Sequence, residues 1–100
     1  MTNVVPFEKP LTAKQMLQKL SADTANIALL PHGQKRAKSR MITRRQIELC
    51  IQKGVIIEGP FTNDHGNFQL TLQRAAAGEQ ITCVVAIDWP TRILVITAYY

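Results

Sequence analysis

The hydrophobic period of the chain changes at Gly54, and this change restricts the fold more than any other feature. Before Gly54, apolar residues recur every three to four positions, as they do in amphipathic helices. After Gly54 they alternate, or run without interruption over short segments bounded by turn residues, as they do in strands. Helices followed by strands on short turns predict an α+β fold, with N-terminal helices packed on a C-terminal antiparallel sheet.

The N-terminal half predicts three helices. They are expected at about 12–21, 33–40 and 44–53. The first and the third begin with capping boxes, formed by Thr12 with Gln15 and by Thr43 with Gln46. Gly54 is the expected C-terminal stop of the third helix.

The C-terminal half predicts a sheet of about four antiparallel strands. They are expected at 55–58, 67–73, 81–88 and 92–99. In "FQLTLQR" apolar and polar residues alternate, which predicts one solvated face, whereas "ITCVVAIDW" and "RILVITAYY" are apolar on both faces and are expected to lie centrally. "DWPTR" between them is typical of a hairpin turn, and "NIALLP" earlier in the chain is a candidate for a further short strand.

A chain of 100 residues predicts one domain, here 12–100, preceded by an extended arm at 1–11. The first residues lack a signal-peptide pattern, and no apolar run is long enough to span a bilayer, so we expect a soluble, cytoplasmic protein unless a signal-independent system exports it. Cys50 and Cys83 stand in apolar surroundings and are predicted to be buried thiols. The spacing of His, Cys and Asp predicts no metal site, and no cofactor is expected.

The charge of the chain is unevenly distributed. Twelve Lys and Arg against seven Asp and Glu give a net charge of +5, which favours nucleic acid as a partner, then an acidic protein, then an anionic membrane. Residues 35–53 hold seven of these basic residues and one acid, Glu48. The basic segment is therefore the predicted binding region, and Lys38, Arg44 and Arg45 are candidate phosphate contacts together with Lys35.

The second predicted helix carries the strongest functional pattern. His32, Arg36 and Arg40 are spaced four apart, so they lie on one side of a helix, with Lys35 beside them. Cations at this spacing repel one another unless an anion binds there. A histidine can accept a proton from a ribose 2′-hydroxyl while guanidinium groups stabilise the charge on the phosphate, which is what metal-independent RNA cleavage requires. A solvated helix face is the alternative interpretation.

Other patterns are weaker. Asp64 and His65 lie in "NDHGN", where the residue types indicate an exposed turn. Tyr99 shares a strand face with Thr97 and could donate a proton or stack on a base. The segment from Arg36 to Lys53 also resembles a helix-turn-helix, so DNA binding is an open alternative.

The chain resembles a bacterial family catalogued as domain of unknown function 4258. The resemblance covers about Leu11 to Tyr99 and depends on His32, Arg36 and Arg40 in "HGQKRAKSR". It also depends on "MITRRQIELCIQKGVIIEGP", "HGNFQLTL", "AAAGEQITCVVAI" and the closing "LVITAYY". Gly33 departs from the pattern, which implies Ala at this position, and a glycine there is expected to weaken the start of the helix.

The resemblance implies a ribonuclease toxin, because the family is similar in architecture to the grouping of barnase, EndoU, colicin and RelE. It implies that His32, Arg36, Arg40 and Tyr99 are catalytic, with RNA as substrate and an acidic antitoxin as partner. A nucleic-acid-binding module without activity and a protein-interaction module are the alternatives.

Overall fold

The computed structural model describes residues 11–76 and 78–100, so the predicted arm at 1–11 lies almost wholly outside the described residues. Three α-helices are present: α1 (Ala13–Ser21), α2 (Pro31–Ser39) and α3 (Arg44–Lys53). Five strands are present: β1 (Ile27–Leu29), β2 (Val55–Thr62), β3 (Phe68–Ala76), β4 (Glu79–Asp88) and β5 (Arg92–Tyr99). No helix in the described part of the chain is long and apolar enough to cross a membrane.

The five strands form one sheet in the order β1-β5-β4-β3-β2. Strands β2 to β5 are antiparallel neighbours, whereas β1 pairs in parallel with β5. The α+β class is confirmed, but the prediction of about four strands is one strand short. β1 has only three residues, too few to show a period, although "NIALLP" was its correct location.

The first strand of the C-terminal half is longer than predicted. β2 continues past residue 58 to Thr62, through Gly59 and Pro60, two residue types common in turns. Pro60 is tolerated because β2 is an edge strand, and the pairing of β2 with β3 shifts on both sides of Glu58, as in β-bulges. Turn-forming residues therefore mark irregular pairing here, and the turn itself begins at Asn63.

The core lies between one face of the sheet and the two helices α1 and α3. Both predicted capping boxes are present, and α3 ends at Gly54 as predicted. The largest fully buried side chains of the core come from α3 and from β1, β3, β4 and β5: Ile27, Ile47, Cys50, Leu70, Leu72, Cys83, Val85, Ile87, Ile93 and Val95. The predicted alternation of β3 is correct at Leu70 and Leu72, which are buried. It is wrong at Phe68, which is exposed, and at Thr71, which is buried on the face away from α1 and α3.

α2 packs against β5 near its pairing with β1. The helix begins at Pro31, two residues earlier than predicted, because proline is well suited to the first helical position. Its small residues Gly33 and Ala37 are one turn apart and buried. A Cβ at Gly33 would lie 2.7 Å from the carbonyl oxygen of Val95 and 2.8 Å from that of Ile96. The glycine that was expected to weaken the helix thus permits its close approach to β5.

Candidate functional site

The outer face of α2 is an exposed basic surface. Because Gly33 and Ala37 face β5, the long side chains of Lys35, Arg36 and Lys38 are left in solvent. Within residues 11–76 and 78–100, ion pairs form only at Arg44, Arg45 and Arg92, and none involves α2. The basic side chains of α2 thus have no carboxylate partner in the described part of the chain, which favours binding of an anion.

Arg40 and Tyr99, both predicted site residues, are brought together by the fold. Arg40 is the C-cap of α2, and its Nη1 donates a hydrogen bond of 2.8 Å to the carbonyl oxygen of Ala98. The guanidinium carbon lies 5.9 Å from the centre of the Tyr99 ring, within cation–π range. Tyr99 remains 39% exposed. An anchored cation and an accessible aromatic ring thus lie side by side at the end of β5.

His32 lies at the other end of α2. It is exposed in the first turn, immediately after Pro31. Eight residues at a rise of 1.5 Å put His32 about 12 Å from Arg40 along the helix axis. Arg36 is one turn from each of them. Three of the four predicted catalytic residues are therefore spread along the helix, and the fourth, Tyr99, lies on β5 beside Arg40, so the set does not surround a single point.

Arg44 and Arg45 have partners inside the protein. Nε of Arg44 donates to Glu48 at 3.0 Å, and its Nη2 donates to the carbonyl oxygens of Thr24 and Ile27. Arg45 lies 3.4 Å from the other carboxylate oxygen of Glu48. Arg44 thereby ties α3 to the turn before β1, so both arginines are less available to a phosphate than the cations of α2.

A groove of about 650 Å³ lies on the sheet face opposite α1 and α3, and the sequence interpretation missed it. Its apolar lining is Leu30, Ala86, Leu94 and Ile96, and its polar lining is Asn63, Asp64, His65, Asn67, Gln69, Asp88 and Arg92. For Asp64 and His65 the sequence indicates only a turn. His65 is exposed as predicted, but the turn that carries it forms one side of this groove.

The polar sides of the groove are held by hydrogen bonds within each hairpin. Oδ1 of Asn63 accepts from the backbone N–H groups of His65 at 3.0 Å and Asn67 at 3.1 Å, and its Nδ2 donates to Gln69 at 3.2 Å. On the other side, Nε of Arg92 lies 3.2 Å from Oδ2 of Asp88. These bonds give the groove its shape before any ligand binds.

The groove is continuous with the start of α2. Leu30, which lines the groove, is the N-cap of α2 and donates its backbone N–H to the carbonyl oxygen of Val95 at 3.2 Å. His32 follows two residues later, so its Cα lies within about 7 Å of that of Leu30. The pairing of β4 with β5 shifts between Val84 and Val85, which leaves Ile96 as an extra residue beside this junction. Bulges of this kind are frequent next to functional sites.

The two cysteines are buried, as predicted, and lie away from this surface. A hydrogen bond with Cys50 and the burial of the thiol raise the pKa of Cys83 above its ordinary value. A thiol kept protonated in the core is unreactive. Among the described residues, no three His, Cys, Asp or Glu side chains form a group that could hold a metal ion.

A family model described as "Domain of unknown function (DUF4258)" matches residues 29–100. The match begins at the end of β1, so it includes α2, α3 and the strands β2 to β5, while α1 precedes it. No curated protein matches the chain, and no solved structure does. Because the match covers well over half of the chain, the protein belongs to the DUF4258 family.

Proposed function

We propose that the protein binds single-stranded RNA along the exposed face of α2 and cleaves it without a metal ion. In this proposal Lys35, Arg36 and Lys38 hold successive phosphates, and His32 acts on the ribose that reaches the start of the helix. Charged contacts to the backbone provide affinity without sequence preference. His32 and Arg36 keep the catalytic roles that the sequence predicts, whereas Arg40 and Tyr99 are assigned to binding a base.

The pairing of Arg40 with Tyr99 is the observation that supports RNA most strongly. Proteins that bind single strands combine cations along the backbone with aromatic rings on which bases stack. Here the hydrogen bond to Ala98 fixes the guanidinium 5.9 Å from the ring centre, and the ring is exposed. A duplex would bury its bases away from such a ring, so the pairing favours single-stranded over double-stranded nucleic acid.

The chemistry follows from the position of His32. The imidazole accepts the proton of a ribose 2′-hydroxyl, the oxygen attacks the adjacent phosphorus, and the bond to the 5′-oxygen of the next nucleotide breaks. Arg36, one turn away, stabilises the charge that accumulates on the phosphate. Tyr99 lies beside Arg40, about 12 Å from His32 along the helix axis, so the leaving 5′-oxygen takes its proton from solvent water and not from the phenol. We therefore assign Tyr99 to stacking.

The proposal is tested by incubating the protein with total RNA in EDTA and resolving the products on a denaturing gel. We expect the parent and Gln34→Ala, which changes a neutral exposed residue of α2, to cleave RNA. We expect His32→Ala to lose at least 100-fold in rate while circular dichroism shows an unchanged fold, because a general base contributes about 10²–10⁴-fold. Cleavage that EDTA abolishes, or that survives in His32→Ala, contradicts the proposal.

A second candidate is an RNA-binding module without activity, since the cations of α2 and the Arg40–Tyr99 pair require no reaction. Intact RNA in every lane, combined with tight and salt-sensitive binding, would favour it. The same free cations suit an acidic protein that covers α2, and an antitoxin of this kind is the partner that we propose for an active ribonuclease.

A further inference from the structure

The groove opposite α1 and α3 has no role in the phosphate contacts proposed for α2, yet its lining residue Leu30 lies only two residues before His32. We infer that this groove binds one nucleobase of the RNA strand, so that the attached ribose reaches the start of α2. The inference rests on the proposed function for its ligand class, and otherwise on the shape, the polar groups and the charge of the groove.

The shape fits a flat ring. The floor is the surface of the sheet itself, where Ala86 of β4 is flanked in register by Gln69 of β3 and Leu94 of β5. Leu30 and Ile96 extend this floor towards α2. A volume of about 650 Å³ lies within the range of small-molecule sites and exceeds what a purine needs. The apolar floor can therefore cover one face of a base.

The polar sides offer both donors and acceptors, as the edges of bases require. The side-chain oxygen of Gln69 accepts a hydrogen bond from Asn63, so the NH₂ group of Gln69 can donate to a ligand. The ion pair joins Nε of Arg92 to Oδ2 of Asp88. The other carboxylate oxygen of Asp88 and both terminal nitrogens of Arg92 can therefore bind a ligand. These groups belong to neighbouring strands, so they converge on the same floor.

The charge of the groove distinguishes a base from a phosphate. Asp64 and Asp88 contribute two negative charges against the single positive charge of Arg92, which is already paired with Asp88. A phosphate in the groove would meet an excess of carboxylates, whereas α2 offers it only cations. The two surfaces are thus complementary to the two parts of a nucleotide, the neutral base and the anionic backbone.

Trp89, the residue after Asp88 of the groove, provides a fluorescent reporter of binding. It is the only tryptophan of the chain, is 38% exposed, and stands between Asp88 and Arg92 in the turn after β4. Its fluorescence is recorded while the folded protein is titrated with adenosine, guanosine, cytidine or uridine, and separately with sodium phosphate. Nucleosides carry no phosphate, so they report on the groove independently of α2. N-acetyltryptophanamide, titrated in parallel, corrects for collisional quenching.

We expect a saturable change with at least one nucleoside and none with phosphate. Gln69→Leu and Arg92→Leu should each weaken nucleoside binding at least five-fold, because each removes donors from the groove. The matched controls, Gln18→Leu on α1 and Lys53→Leu on α3, should not weaken it. Circular dichroism shows whether each variant has folded, and Gln69→Glu provides a second, less disruptive change at the same position.

The outcomes separate the two proposals. If RNA is bound or cleaved but no nucleoside gives a saturable signal, the groove inference is overturned and the proposed function stands. If a nucleoside binds and the groove variants weaken it, the inference is supported even where His32→Ala contradicts the proposed cleavage. Binding that the groove variants leave unchanged, or a response no different from that of N-acetyltryptophanamide, overturns the inference.

Discussion

A single missing side chain at Gly33 allows α2 to lie against the backbone of β5. The carbonyl oxygens of Val95 and Ile96 would both lie under 3.0 Å from an added Cβ. Helix propensity alone favours alanine over glycine by about 1 kcal/mol in a helix interior. Local preference and tertiary packing therefore point in opposite directions at this position.

We predict that Gly33→Ala lowers the free energy of unfolding by about 1–3 kcal/mol, because the cost of overpacking exceeds the gain in helix propensity. Urea unfolding measures the change. Gln34→Ala, on the exposed side of the same helix, should stay within about 0.5 kcal/mol of the parent. A stabilised Gly33→Ala would show that propensity decides this position, and that α2 can move away from β5 without cost.

Met41 is a second residue at which backbone geometry conflicts with residue type. It adopts a left-handed conformation with φ of 57° and is 84% exposed. The N–H of Ile42 donates to Ala37 at 2.9 Å and that of Met41 to Lys38 at 3.1 Å, which is the Schellman arrangement that usually contains glycine. This cap ends α2 directly after Arg40 and so helps to place the guanidinium beside Tyr99.

Among the elements, α2 packs on β5 with one side and exposes basic side chains to solvent on the other. Its small residues pack on β5, and its basic residues remain in solvent without carboxylate partners in the described structure. α3 is also basic, but Arg44 and Arg45 share Glu48. In the sequence, residues 35–53 form one basic segment. In the described structure, the basic side chains of α2 have no carboxylate partner, whereas Arg44 and Arg45 of α3 are paired with Glu48.

We predict that the logarithm of the association constant for single-stranded RNA falls linearly with the logarithm of the salt concentration. Replacing Lys35, Arg36 or Lys38 by Gln should each reduce the slope by about 0.7, the value for one phosphate contact on a single strand. Arg45→Gln is the matched control and should leave the slope unchanged, since its charge is already paired. Fluorescence anisotropy over a range of salt concentrations measures the slopes. An equal loss in Arg45→Gln would show that α3 also contacts the backbone.

At the scale of the whole molecule, the signals that predicted the fold correctly are local ones. The capping boxes at Thr12 and Thr43, and the alternation around Leu70 and Leu72, depend on residues close in sequence. β1 is absent from the predicted sheet because its three residues are too few to show a period, and its pairing with β5 joins segments far apart in the sequence. The extent of β2 was underestimated because Pro60 is acceptable only on an edge strand, and strand order is not a local property.

The candidate site was predictable only in part, for the same reason. The spacing of His32, Arg36 and Arg40 identified the basic helix, and the closing "TAYY" identified Tyr99. The groove is formed by residues from 30 to 96, so no sequence window contains it. His65 was interpreted as a turn residue because the conformation of "NDHGN" explains its composition without reference to the rest of the sheet.

We propose that α2 and the adjoining groove form one RNA-binding surface. The most direct test is an NMR titration of ¹⁵N-labelled protein with a short oligoribonucleotide carrying 2′-O-methyl groups, which prevent cleavage. We predict that the largest amide shift changes fall on residues 30–40 and on the turn at 63–67, with little change on the exposed sides of α1 and α3. Changes concentrated on α1 or α3, or no change along α2, would show that RNA does not bind to this surface.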